Sequence, residues 1–497
     1  MAPPPGILPY AGLIRDSGGN LYGTTEQGGA SNDGTVFELA QGSGTITVLA
    51  SFNGTNGCHP YDAPIMDSSG NLYGATFAGG ASSHGTVFEL AKGSGKITTL
   101  ASFNGTDGEA PQDRGSLIMD SGGNLYGTTL GPGYSGYGTV FELAQGSGTI
   151  TTLASFVAPN GTNPSSGLIM DSSGNLYGTA SEGGASGDGT VFELAQDSGA
   201  LTALASFNGT DGLDPVTGLI IDSSGNLYGT AAGGTSNDGT VFELAPGSGT
   251  ITTLATFNGA NGSGPSALIM DSSGNLYGTS SGGGTSNDGT VFELAKGSGT
   301  ITTLASFNGT NGAGPSDALI IDSSGNLYGT TANGGALGDG TVFELAHGKH
   351  TITALASFNG TNGAGPEDAL IMDSSGNLYG TTVGGGSGDG YGTVFELTGA
   401  AAKPALQISG SHSSTGAGAS ATSIVAVPNA VGTTDTGSAG TADFTSNERT
   451  ANLTANDTAP DMGTSPFSGV VPQKKSKPSS TDTLFSAITG SLGTDLS

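Results

Sequence analysis

Tryptophan is absent from this chain of 497 residues, cysteine occurs once, and lysine and arginine together number 11. Each scarcity removes something. With Cys58 alone there is no internal disulfide, and the redox compartment cannot be read from thiol usage. Against 41 acidic residues the 11 basic ones leave a net charge of -30. Such a surface repels phosphate backbones, so neither nucleic acid nor anionic membranes are expected partners. No apolar run approaches the roughly 18–20 residues of a membrane span, so insertion is not expected. Long helical periodicity is missing as well. The five histidines, His59, His84, His347, His350 and His412, are scattered; only His347 and His350 share a turn, and a zinc site needs further ligands. Without tryptophan or vicinal cysteines a quinone-dependent dehydrogenase is set aside. No catalytic residue, cofactor or metal is therefore expected.

Glycine is what the chain has in quantity, 93 residues of it, with only 34% hydrophobic residues. As bulk composition this would suit a low-complexity chain. The glycines, however, fall at fixed offsets. Asn-Leu-Tyr-Gly begins at Asn20, Asn71, Asn124, Asn175, Asn226, Asn275, Asn326 and Asn377, and Phe-Glu-Leu begins at Phe37, Phe88, Phe141, Phe192, Phe242, Phe292, Phe343 and Phe395. The period is about 51 residues, in the range of arrays of small β-units.

One copy parses into four short strands: Leu268–Asp271, Asn275–Thr279, Thr290–Ala295 and Thr300–Phe307. Turns at Ser272-Ser273-Gly274 and Gly297-Ser298-Gly299 separate the outer pairs, and the loop Gly282–Asp288 separates the middle pair. Apolar residues occupy both faces of the strands, as they do when a small sheet is sandwiched between two like sheets. The spacing predicts an all-β fold, an eight-bladed β-propeller of four-stranded antiparallel blades over residues 11–409. It is preceded by an N-terminal extension, 1–10, and followed by a low-complexity tail, 410–497, expected to be disordered. A linear β-solenoid is the competing architecture. Ala405–Ser409 is the candidate for the last outer strand, with the ring closing by blade eight packing on blade one.

The Asp-Ser-Ser-Gly-Asn turn offers one carboxylate per copy, whereas calcium takes six to eight oxygens, so this aspartate is read as bonding its own turn. The recurring glutamate of Phe-Glu-Leu, present in every copy, is read as a blade contact or a solvated group; acid–base pairs need unlike environments. Sequence differences collect in two loop types, one joining strands two and three and one joining blade to blade. Both should emerge on the same end of the ring. There Tyr61, Tyr134, Tyr137 and Tyr391 offer stacking faces, and Asp62, Glu109, Asp113 and Arg114 offer polar groups, for a partner that would be a protein or a glycan.

The pattern LIMDSSGNLYGT, GTVFEL and ITTLASFNGTNG resembles the GloVer tandem repeat of bacterial extracellular proteins. The resemblance implies a secreted or surface-attached location and no established activity. The opening MAPPPGILPY has neither the basic start nor the apolar stretch of a secretory signal, so a cytoplasmic location stays open beside it. The expected function is a monomeric, non-enzymatic binding scaffold; the alternative is a propeller that cleaves polysaccharides or glycosides.

Overall fold

The computed structural model describes residues 6–111, 117–164, 166–196, 198–215, 217–315, 317–386, 390–399, 407–411 and 422–425. The chain divides into two units, Met1–Ala430 and Val431–Ser497. The second lies outside the described residues, as does most of the expected tail.

In the first unit eight antiparallel sheets follow one another in chain order, one per repeat, and the chain forms the eight-bladed propeller anticipated above. In the sixth blade the strands are Ile269–Met270, Leu276–Gly282, Thr290–Leu294 and Thr302–Ser306. The innermost strand is shorter than expected because pairing gives way at once to the turn, where the Asp271 N–H donates to the Asn275 carbonyl at 3.0 Å. Register sets Gly278 opposite Phe292. A Cβ on Gly278 would stand 2.7 Å from the Phe292 ring, so glycine is needed there for space.

No blade has a core of its own. One apolar cluster joins Val291 and Phe307 of the sixth blade to Leu319, Leu327, Phe343 and Leu345 of the seventh. At its centre Phe307 meets Phe343 edge to face, with centroids 4.9 Å apart, a geometry that suits the ring quadrupoles. The same contact recurs as Phe52–Phe88, Phe103–Phe141, Phe156–Phe192, Phe207–Phe242, Phe257–Phe292 and Phe358–Phe395. Each pair spans two neighbouring blades, which is why the strands carry apolar residues on both faces.

The ring is closed. Cluster members Leu13, Leu21 and Phe37 of blade one pack on Tyr379 and Val394 of blade eight. Arg15 reaches Asp373 of blade eight at 3.9 Å. A straight stack would leave those faces apart, so the solenoid is excluded. The last outer strand is Gln407–Ser411, paired with Thr393–Thr398, and Thr422–Val425 adds a fifth strand beyond it. The expected Ala405–Ser409 was therefore two residues early, because the register with the third strand, Thr398 opposite Gln407, selects the pairing rather than local composition.

Candidate functional site

Every blade is entered through a left-handed residue followed by proline. The residues are Leu8 (φ 59°), His59 (φ 56°), Ala110 (φ 50°), Asn163 (φ 57°), Asp214 (φ 49°), Gly264 (φ 62°), Gly314 (φ 63°) and Gly365 (φ 61°). Their N–H groups donate back to the preceding blade, for example His59 to Asp33 at 3.0 Å and Gly365 to Asp339 at 3.0 Å. The proline then lies on a glycine of that blade; a Cβ on Gly34 would stand 2.7 Å from the Pro60 ring. This clamp bends the chain inward and delivers the next residues to the propeller axis.

There the linkers enclose an axial cavity of about 900 Å³, lined from blades one, two, five, six, seven and eight by residues that include Tyr10, Tyr61, Asp62, Thr217, Ser266, Asp317, Glu367 and Asp368. Ala232 and Ala332 of the loops between second and third strands share the wall, with Ser281 near the end of the sixth blade's second strand. Both variable loop types thus open on one end, as the sequence implied. Threonines of the second strands hold the linkers in place. Thr24 donates to the Asp62 carbonyl at 2.9 Å and Thr230 to the Ser266 carbonyl at 3.0 Å.

Asp317 and Asp368 occupy equivalent positions of blades seven and eight and their carboxyls hydrogen-bond each other. Each is also held by the next main-chain N–H, from Ala318 at 2.6 Å and from Ala369 at 2.7 Å. Both are half-buried and line the cavity. Burial raises both carboxyls, and the charge of Asp317 pushes Asp368 further up, so the pair retains one proton well above the usual carboxylate range. Tyr10 is also pushed up, by burial and then by Glu26 and Glu367. Tyr61 donates to Glu26 at 3.1 Å, stacks with His59 at 6.4 Å and meets the Phe77 edge at 5.6 Å.

The sequence candidates do not form one site. Tyr61 and Asp62 line the axial cavity. Tyr134 and Tyr137 stand outside it in the loop of blade three, 95% and 46% exposed. Glu109 sits at a blade junction with its Oε2 2.7 Å from Nδ1 of His84. Tyr391 belongs to the seam between blades eight and one, where its carbonyl accepts the Leu8 N–H. Asp113 and Arg114 lie outside the described residues. Tyr10, Asp317, Glu367 and Asp368 were not anticipated. For the aspartates the signal was an acidic residue two places after the proline, at Asp317 and Asp368 as at Asp62 and Asp113, where the remaining linkers carry Ala11, Ser166, Thr217 and Ala267.

The turn aspartates and the strand glutamates meet at tyrosines. Tyr277 lies 3.3 Å from Asp271 Oδ2 and 3.2 Å from Glu293 Oε1. Asp271 further accepts from Ser273 N, Asn275 N and Asn275 Nδ2 at 2.8 to 2.9 Å, so both its oxygens are engaged within the blade. Burial and the two acids push the Tyr277 hydroxyl up to about 12. Among the described residues no group of three His, Cys, Asp or Glu side chains is placed to hold a metal. No helix among them is long and apolar enough to cross a membrane.

The family described as the Gloeobacter/Verrucomicrobia repeat matches residues 9–237 and again 217–444. No curated protein matches the sequence. Among solved structures, the chain is similar to a puromycin-hydrolyzing peptidase of Mycobacterium tuberculosis, with 11% identity over 79% of this chain and a TM-score of 0.46. It spans 59% of that peptidase's length. It is also similar to a gluconolactonase from Xanthomonas campestris, at 15% identity over 54% of this chain and 81% of the other with a TM-score of 0.32. A calcium-binding protein, regucalcin, from Agrobacterium tumefaciens matches at 17% identity over 56% and 83%, with a TM-score of 0.31. Likeness at this level carries nothing about chemistry.

Proposed function

The chain belongs to the Gloeobacter/Verrucomicrobia repeat family, and from that premise we propose that it is a non-enzymatic, extracellular or surface-associated scaffold whose variable-loop end binds a carbohydrate. The observation that carries this reading is the axial cavity of about 900 Å³, with Tyr10 and Tyr61 beside hydroxyl and carboxyl groups. Its size lies in the range of ligand pockets. Flat aromatic faces complement the C–H faces of sugar rings, and carboxylates and hydroxyls accept from sugar O–H groups. Tyr134 and Tyr137, exposed in a variable loop of blade three, offer a second aromatic surface apart from the cavity. The high net charge of -30 keeps the scaffold soluble. Location outside the cell rests on the family.

The test is a glycan screen on the full chain, followed by Tyr61→Ala and by Tyr134→Ala with Tyr137→Ala. Carbohydrate binding that weakens in either variant supports the reading. A chain that captures no glycan, or binding that ignores all three tyrosines, overturns it.

The glycoside-cleaving alternative draws on the Asp317–Asp368 pair. Glycosidases hold their two carboxyls roughly 5–5.5 Å or 6.5–9.5 Å apart, leaving room for a sugar carbon or a water. Two carboxyls in hydrogen-bond contact leave no such room. Release of reducing ends from a polysaccharide, abolished by Asp368→Asn, would restore that alternative.

A further inference from the structure

We propose that the axial cavity selects carbohydrates that carry a free primary amine, and that the ammonium is received between Asp317 and Asp368. The inference rests on the carbohydrate-binding reading above and names the ligand class for the same site. Its starting point is the imbalance of the wall. Asp62, Asp317, Glu367 and Asp368 face the cavity, while the described lining holds no lysine, arginine or histidine. A concave wall bearing charge of one sign concentrates its field inside the cavity and raises the local concentration of cations. Tyr10 and Tyr61 add ring faces, which attract a cation as well as a sugar.

The paired carboxyls make the preference specific. Without a ligand they share one proton, because two neighbouring carboxylates in a confined space cannot both ionise. A neutral sugar hydroxyl gives them no reason to release it. An ammonium brings three donors and a full positive charge to the same spot, so it can take over what the shared proton does. The exchange balances: the protonated pair and R–NH3+ become the doubly ionised pair holding R–NH3+, and one proton leaves to the buffer. Among the described residues the other titratable groups lining the cavity are Asp62, Glu367, Tyr10 and Tyr61, with Glu26 bonded to the Tyr61 hydroxyl. All of these are acidic or neutral, so none of the described lining groups opposes the incoming cation. As pH falls the pair reclaims its proton, and affinity for the amine falls with it.

Titration calorimetry on the full chain with glucosamine oligomers and with N-acetylglucosamine oligomers of equal length tests this, since the two differ in the free amine. The expected result is roughly tenfold tighter binding of the amine form, with about one proton released per site, read as a heat that depends on the ionisation enthalpy of the buffer. Asp317→Asn and Asp368→Asn should each lose the preference for the amine. Should either variant fail to fold, the buffer-dependent heat of the unaltered chain still decides. Equal affinity for the two oligomers, or binding without proton release, overturns the inference and leaves the carbohydrate reading standing. Binding of neither oligomer, in a chain that captures no other glycan, overturns both. Spermidine bound as tightly as the glucosamine oligomer would show that the cavity takes any organic cation, and would overturn the assignment to carbohydrates.

Discussion

The main-chain N–H of Leu8 donates to the carbonyl oxygen of Tyr391 at 3.0 Å. These two residues stand at opposite ends of the repeat array, and their bond is the eighth instance of the clamp that joins every blade to the next. At the other junctions the linker is a continuous chain. At this seam blades one and eight are joined without covalent continuity, so the clamp acts there together with the packing of Leu13, Leu21 and Phe37 on Tyr379 and Val394 and with Arg15 beside Asp373.

Leu8→Pro should therefore weaken the seam. Proline lacks the donor and cannot adopt the φ of 59° found at Leu8. A loss of roughly 1–3 kcal/mol is expected in urea unfolding. Leu8→Gly, which suits the left-handed conformation, should be neutral or slightly stabilising. Equal unfolding midpoints for Leu8→Pro and the unaltered chain would show that the seam does not depend on this bond.

Removing a shared ring should damage two blades at once. Phe307→Ala leaves a void against Phe343, at a cost of about 3–5 kcal/mol for a buried phenylalanine. Hydrogen exchange should then lose protection in both the sixth and the seventh blades. Loss confined to the sixth would contradict a core shared between neighbours.

The turn aspartates make the blades sensitive to acid. Burial works against their charged form, but bonds from the turn outweigh it; those of Asn275, Ser273 and Tyr277 hold Asp271 below the usual range. A depressed folded value means stability that is complete above the unfolded value, about 3.9, and is lost as pH falls through the folded one. Asp271→Asn should cost about 0.5–1 kcal/mol at pH 7, with allowance for solvent screening, and much less at pH 3. Thermal melts across that range measure it; a cost independent of pH would mean that the charge is irrelevant.

The axial pair should act in the opposite sense. Because the folded value of Asp368 is raised by burial and by Asp317, folding is opposed progressively as pH rises from about 4 toward that raised value. Asp368→Asn removes the conflict while keeping an acceptor for the Ala369 N–H. It should raise stability at pH 8 by on the order of 1 kcal/mol and leave it nearly unchanged at pH 4. A variant less stable than the unaltered chain at pH 8 would show that the pair does not share a proton.

Much of this molecule was written locally. Eight copies of the Asn-Leu-Tyr-Gly and Phe-Glu-Leu anchors, with glycine turns between alternating strands, determined the number of blades, their four strands and the end on which the variable loops lie. Those features follow from side-chain alternation and turn chemistry within one repeat, which a sequence displays directly. The candidate residues were less legible. Tyr61, Tyr134, Glu109 and Tyr391 lie in the loop types that vary, yet the structure distributes them among the axis, the outer surface, a blade junction and the seam. Only the tertiary structure brought Asp317 to Asp368, one repeat apart in sequence, because the clamps turn successive linkers toward a common axis. The same holds for the left-handed Leu8 and Ala110, residues with no local preference for that conformation, which are held there by bonds to the preceding blade. How equivalent positions of different copies meet depends on the angle at which whole blades pack, and no pattern within a single copy contains that angle.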